Sequence, residues 1–213
     1  MKLKFLLLKP LAIAALLASA TASQAAINVV TSLAAFNAAT SAQATDTFAG
    51  FSVIVSTPSP ITRTAGPYSY TATAAASFFG GGTNADPFFS TTQARETVTF
   101  NAFSAGVRGI GGNFFASNIS GLFTPGSVTL TVTDGSGTVT QTIANATASS
   151  FIGFISDGPI AQMTLAAVQP TSGVVWPSVD NLVLAAAVPE PGTYALLLAG
   201  LGVVGLLVRR RRS

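Results

Sequence analysis

Six carboxylates are spread through the body of this chain and are its first candidates for chemistry: Asp46, Asp86, Glu96, Asp134, Asp157 and Asp180. No His and no Cys accompany them. Ser-His, Cys-His and thiol mechanisms are therefore excluded, because the general base or the nucleophile is missing. Zinc and haem sites that need Cys or His are excluded with them. Two uses remain for carboxylates alone. Glycan hydrolysis asks for two carboxyl groups about 5 to 9.5 Å apart across a cleft. Calcium asks for oxygen ligands only, about six to eight of them, and accepts carbonyls and Asn. Asp86 before Pro87, Asp134 in an Asp-Gly-Ser-Gly turn and Asp157 before Gly158 read as turn formers. Asp46, Glu96 and Asp180 are harder to explain that way.

Asp46 stands just before an early strand expected around Thr47 to Phe51, and Asp180-Asn181 opens the last strand. If those strands are neighbours, Asp46, Asp180 and Asn181 form a candidate structural calcium site. The competing and preferred reading has Asp180 and Asn181 closing a strand end through their own backbone. Catalysis is not expected, and no other cofactor is. Among aromatic residues, Trp176 is the only Trp and lies between Val175 and Pro177 near a loop. Its ring suits stacking on a pyranose, although a single Trp in apolar surroundings more often belongs to a core. Tyr68 and Tyr70 are spaced to share one strand face.

The elements that must position these groups are read from period-two patterning. Val128, Leu130 and Val132 alternate with Thr129, Thr131 and Thr133; a second run, Thr138 to Ile143, does the same. Asp134-Gly135-Ser136-Gly137 joins them, so a β-hairpin is expected with one apolar and one Thr-covered face. Further short strands are expected at Val53–Val55, Tyr68–Thr73, Glu96–Phe100, Ser104–Ile110, Phe151–Ile155, Met163–Leu165 and Val179–Leu184. One helix is expected, Leu33 to Ala39, capped by Thr31 or Ser32. Gly80-Gly81-Gly82 and Gly109-Ile110-Gly111-Gly112 lack the Lys-Ser/Thr of a phosphate loop and read as bulges or tight loops between strands. The fold class is mainly β: a single antiparallel β-sandwich, jelly-roll-like, over residues 26–187. No repeat or second domain is visible.

Both ends carry signals of a different kind. Residues 1–25 begin with Lys2, Lys4 and Lys9, continue through the apolar run Leu11 to Ala18, and finish in small residues, the pattern of a secretory signal peptide. At the other end, Pro189-Glu190-Pro191 precedes an apolar run from Tyr194 to Val208, about 22 Å long as a helix. Arg209, Arg210, Arg211 and Arg212 follow. A basic cluster after a short transmembrane helix fixes that end in the cytoplasm and the sandwich outside. These segments also hold most of the positive charge. The chain as a whole is +3, with a pI near 9.7. Between the signals only Arg63, Arg95 and Arg108 face the six acids, so the sandwich is acidic and unsuited to nucleic acid.

The order Pro-Glu-Pro, short Gly- and Leu-rich helix and terminal Arg cluster resembles the PEP-CTERM sorting family, over residues 188–213. The resemblance implies a Gram-negative, exopolysaccharide-making bacterium and handling by exosortase, with Pro189, Glu190 and Pro191 as the recognition element. It implies export across the inner membrane, transient anchoring there by the C-terminal helix, and release to the cell surface or extracellular matrix. A bacterial source leaves the glycosylation sequons at Asn118 and Asn145 without an assignment. The expected role is a non-enzymatic interaction module associated with exopolysaccharide. The alternatives are a self-associating matrix component and, behind it, a glycan-active hydrolase.

Overall fold

The structure, a computed structural model, describes residues 27–187 and 200–202. The expected signal peptide, the Pro189-Glu190-Pro191 element and Arg209 to Arg212 lie outside the described residues. Among the described residues no helix is long and apolar enough to cross a membrane.

The chain opens with Ile27–Val30 (β1), the helix Leu33–Ala39 (α1) and Thr40–Asp46 (β2). Short strands follow at Ser56–Pro58 (β3), Ile61–Ala65 (β4), Tyr68–Thr73 (β5), Ser77–Thr83 (β6), Asp86–Thr91 (β7) and Thr97–Asn101 (β8). The second half holds Gly109–Ser117 (β9), Phe123–Thr124 (β10), Gly126–Asp134 (β11), Thr138–Ala146 (β12), Phe151–Ser156 (β13), Ile160–Val168 (β14) and Trp176–Ala187 (β15). Two antiparallel sheets result. The larger runs β1-β13-β9-β15-β7-β6-β3, with β2 also on β15 and β10 on β9; the smaller runs β12-β11-β14-β8-β5-β4.

Alternation explains the smaller sheet. Val128, Leu130 and Val132 point inward and are fully buried, while their Thr neighbours point out. On that outer face Thr129, Thr131 and Thr133 stand opposite Thr142, Thr140 and Thr138, with hydroxyl pairs 2.9 Å apart. Such cross-strand pairs each contribute about 0.2–1 kcal/mol. The inner faces of both sheets share one core, in which Phe89 meets Phe48, Phe51, Phe78 and Phe100.

The larger sheet also buries part of its outer face. The helix α1 is capped by Ser32, whose Oγ accepts from the Ala35 N–H. It lays Phe36 over β13 and β9, beside Ile155, Val183 and Ala185. Glycine makes the slot: a Cβ on Gly153 would stand 2.4 Å from the Phe36 ring, and one on Gly109 would stand 3.0 Å from it. Burying a Phe side chain in this way stabilises the fold by roughly 1.5–3 kcal/mol. The glycine runs are therefore not loops between strands, as their sequence suggests. They lie within β6 and β9, where aromatic rings pack directly on the backbone.

Several boundaries also differ from expectation. Residues 53–55 make only an isolated bridge, from Val53 to Gly80. The segment 104–107 is a turn that leads into β9. Asp46 ends β2 instead of preceding a strand, and 47–51 turns away from the sheet with Phe48 at φ +53°.

Candidate functional site

Two depressions stand out among the described residues. The first, about 440 Å³, lies over Asp46 and Arg63, between Thr45–Thr47 and Thr62–Thr64. Asp46 pairs in register with Leu182 and shares its inward direction. Its carboxylate is saturated. Arg63 donates from Nε to Oδ2 and from Nη2 to Oδ1, both at 2.7 Å. Tyr70 Oη donates to Oδ2 at 2.7 Å, and the Phe48 N–H donates to Oδ1 at 2.8 Å. The guanidinium also lies 5.1 Å from the Phe48 ring centre and 5.7 Å from that of Phe51. Burial lowers the readiness of Arg63 to stay charged, but its contacts with Asp46 and Tyr70 outweigh that and raise its pKa. Burial raises the Tyr70 phenol far above its usual value, and the Asp46 charge adds to the effect. Tyr70 is a fixed donor here, and Tyr68 shares its inner face in the core.

The strands β2 and β15 are neighbours, as the calcium reading requires, but the two carboxylates are not brought together. Asp180 pairs in register with Asn113, beside the core pair Val179 and Phe114, and a bulge with Asn181 at φ +50° follows. Its Oδ1 accepts from the Asn181 N–H at 2.7 Å and its Oδ2 from Asn181 Nδ2 at 3.0 Å. Asp180 thus lies on the outer face and Asp46 on the inner one. Burial raises the Asp180 pKa, the Asn181 N–H opposes this, and the charge of Asp86 adds to it. Among the described residues no three His, Cys, Asp or Glu gather closely enough to hold a metal.

The other acids are occupied or apart. Asp134 holds its hairpin turn, accepting from Ser136 and the Gly137 N–H, and also binds the Ser156 hydroxyl from a neighbouring segment. Burial alone would raise its carboxyl, but these hydrogen bonds hold it at about 2. Glu96 Oε2 is buried without a partner, and nothing in the structure explains it. Asp86 and Asp157 are exposed.

The second depression, about 360 Å³, is built around Trp176. Along β15, Val179 enters the core, Ser178 points the other way, and Trp176 follows Ser178 onto the outer face. The ring is half-buried and, among the described residues, pairs with no other aromatic ring and joins neither core cluster, so this Trp is not a core residue. Phe79 forms the facing wall, carried there by β6 because its neighbour Phe78 takes the inward position. Ser90 near the end of β7, Thr92 just beyond it and Ser56 form the floor, while Thr91, in register with Phe78, turns its side chain inward. Below, Ser178 Oγ donates toward Ser117 at 2.8 Å and Ser90 at 3.2 Å, tying β15 to β9 and β7. Asn118, Ile119 and Ile54 complete the rim. Sequence reasoning singled out Trp176 but none of these partners, which come from four separate segments. The adjacent Phe78 and Phe79, too many to face one core, were the available signal.

Residues 187–212 match the profile of the PEP-CTERM protein-sorting motif. The chain therefore carries the recognition tag for exosortase processing, which implies a secreted protein sorted to the cell surface. No curated protein matches the chain, and no solved structure does.

Proposed function

We propose that the sandwich is a non-enzymatic module that exosortase sorting delivers to the cell surface or extracellular matrix, where it associates with exopolysaccharide. The observation that carries this reading is the Trp176 groove, an aromatic wall over a floor of hydroxyls on the outer face of the larger sheet. Aromatic rings offer a flat apolar face to a sugar ring, and the hydroxyls share hydrogen bonds with its substituents. Before processing, a C-terminal helix anchors the chain in the inner membrane. Intact mass of the exported form should then lack residues 1–25 and the Arg tail.

Affinity electrophoresis through gels containing the producing cell's own exopolysaccharide tests the module. Retardation is expected, with no new reducing ends in the polysaccharide. Unretarded migration overturns the binding role, and released reducing ends would assign a hydrolase instead. A second reading, a self-associating matrix component, draws on the threonine face of the smaller sheet, which is broad and outward-facing. It requires sedimentation to show growth with protein concentration in the absence of polysaccharide.

A further inference from the structure

We infer that the Trp176 groove selects uncharged hexose units and rejects uronic acids, an inference that rests on the carbohydrate-binding reading above. The polarity of the hydroxyls decides it. Ser90 donates its proton to the Pro177 carbonyl and accepts from Ser178. Thr92 donates to the Ser77 carbonyl, and Ser56 to the Ser77 hydroxyl. A hydroxyl has one proton and two lone pairs, so with these protons given to the protein the capacity left on Ser56, Thr92 and Ser90 is for accepting. It is left in full on Ser56 and in part on Thr92 and Ser90, which also meet the Ser77 and Ser178 hydroxyls. The floor is an acceptor surface. It suits sugar hydroxyls, which arrive with protons to give.

A carboxylate only accepts and carries a charge, so on this floor it would face lone pairs with no compensating cation. None of the groove residues is charged. The unused donors stand on the walls. The Trp176 indole N–H has no partner among the described residues, and Asn118 Nδ2 has none either, since its Oδ1 alone is engaged, by the Ser120 and Leu122 N–H groups. These donors fit ring and hydroxyl oxygens of the same sugar.

The rim supplies apolar contact. Ile54 is 72% and Ile119 77% exposed, an unusual placement for two large aliphatic side chains at one opening. Ile54 is held at φ +60°, a conformation that a β-branched residue rarely adopts. Its N–H bonds the Gly80 carbonyl at 2.9 Å, and the close approach requires glycine, because a Cβ there would lie 2.2 Å from the Ser52 carbonyl oxygen. Backbone strain of this kind concentrates at ligand clamps. The volume, about 360 Å³, falls within the range of small-ligand sites.

Isothermal titration of the full chain with neutral gluco-oligosaccharides and with oligouronates of equal length tests the selection. Neutral oligomers should bind at least about tenfold more tightly, with an affinity that salt leaves unchanged. Trp176→Ala should weaken neutral binding by about tenfold or more, and Trp176→Phe by less, because stacking survives while the N–H is lost. Unchanged melting temperatures would assign these losses to the groove and not to unfolding. Tighter binding of oligouronates overturns the selectivity and leaves the carbohydrate module standing. Binding of neutral oligomers that Trp176→Ala does not weaken overturns the groove as the site. Retardation by the native exopolysaccharide without binding of either oligomer set overturns the inference alone, whereas loss of both overturns the module as well.

Discussion

The two depressions differ in how much of their bonding capacity is already spent. The Asp46 corner has the charged residues, and its carboxylate is filled by four donors from within the protein. The Trp176 groove has no charge at all, yet it keeps two unused donors and hydroxyls whose protons are given to the protein and whose remaining capacity is to accept. Charge in a hollow is thus a poor guide to function in this molecule. The corner joins β2 of one sheet to β4 and β5 of the other, and its chemistry is consumed in doing so. The groove lies within one sheet, where neighbouring strands are already joined by their own ladder bonds.

Substitutions should separate these roles, and the largest effect belongs to the corner. Arg63→Met leaves the Asp46 carboxylate buried without its cation, which costs about 3–5 kcal/mol when one partner of a buried pair is removed. Chemical denaturation should register that loss, and the double variant Asp46→Leu with Arg63→Met should recover part of it. Equal losses in the single and double variants would show that packing, not the pairing, holds the corner. Asp134 offers an intermediate case, a carboxylate saturated by neutral donors alone. Its folded value of about 2 lies below the ordinary 3.8, so folding favours the ionised form. The stability it provides is present above about pH 4 and is lost as pH falls toward 2. Asp134→Asn should flatten the dependence of unfolding free energy on pH across that window, and an unchanged slope would remove Asp134 as its source. The smallest effect belongs to the groove. Trp176→Ala should shift stability by less than about 1 kcal/mol, within the range of substitutions away from the core. A larger loss would make the groove a structural joint like the corner.

The contrast also governs what could be read from the chain. The helix α1 and the β11–β12 hairpin follow from local signals: Ser32 as cap, a strict alternation of Val or Leu with Thr, and Asp134-Gly135-Ser136-Gly137 as turn. The strand β5 likewise spans Tyr68–Thr73 as expected. Legibility fails where both faces of a strand are covered. In β7 the run from Pro87 to Thr91 is buried throughout, so no alternation marks it. In β9 glycines that admit Phe36 and Phe151 look like breaks. The sites obey the same rule. Asp46 and Asp180 were singled out as acids of adjacent strands, but a bulge at Asn181 sets their faces, and nothing local announces it. Arg63 looked like one of three scattered cations until the fold placed it on Asp46. Trp176 was visible through rarity alone, while its surroundings are assembled from distant segments.

One feature of the larger sheet bears on the order of events during export. The strand β15 is the last of the sandwich in sequence and the middle one in space, bonded to β9 on one side and to β2 and β7 on the other. A chain emerging from its N-terminus presents those three strands with a vacant lane between them. Only when Ala187 has cleared the membrane can the lane be filled, and residue 187 is also where the sorting motif begins. Completion of the fold and arrival of the exosortase tag are therefore nearly the same moment. On the proposal that the tail is anchored before processing, the tether gives β15 time to seat before release.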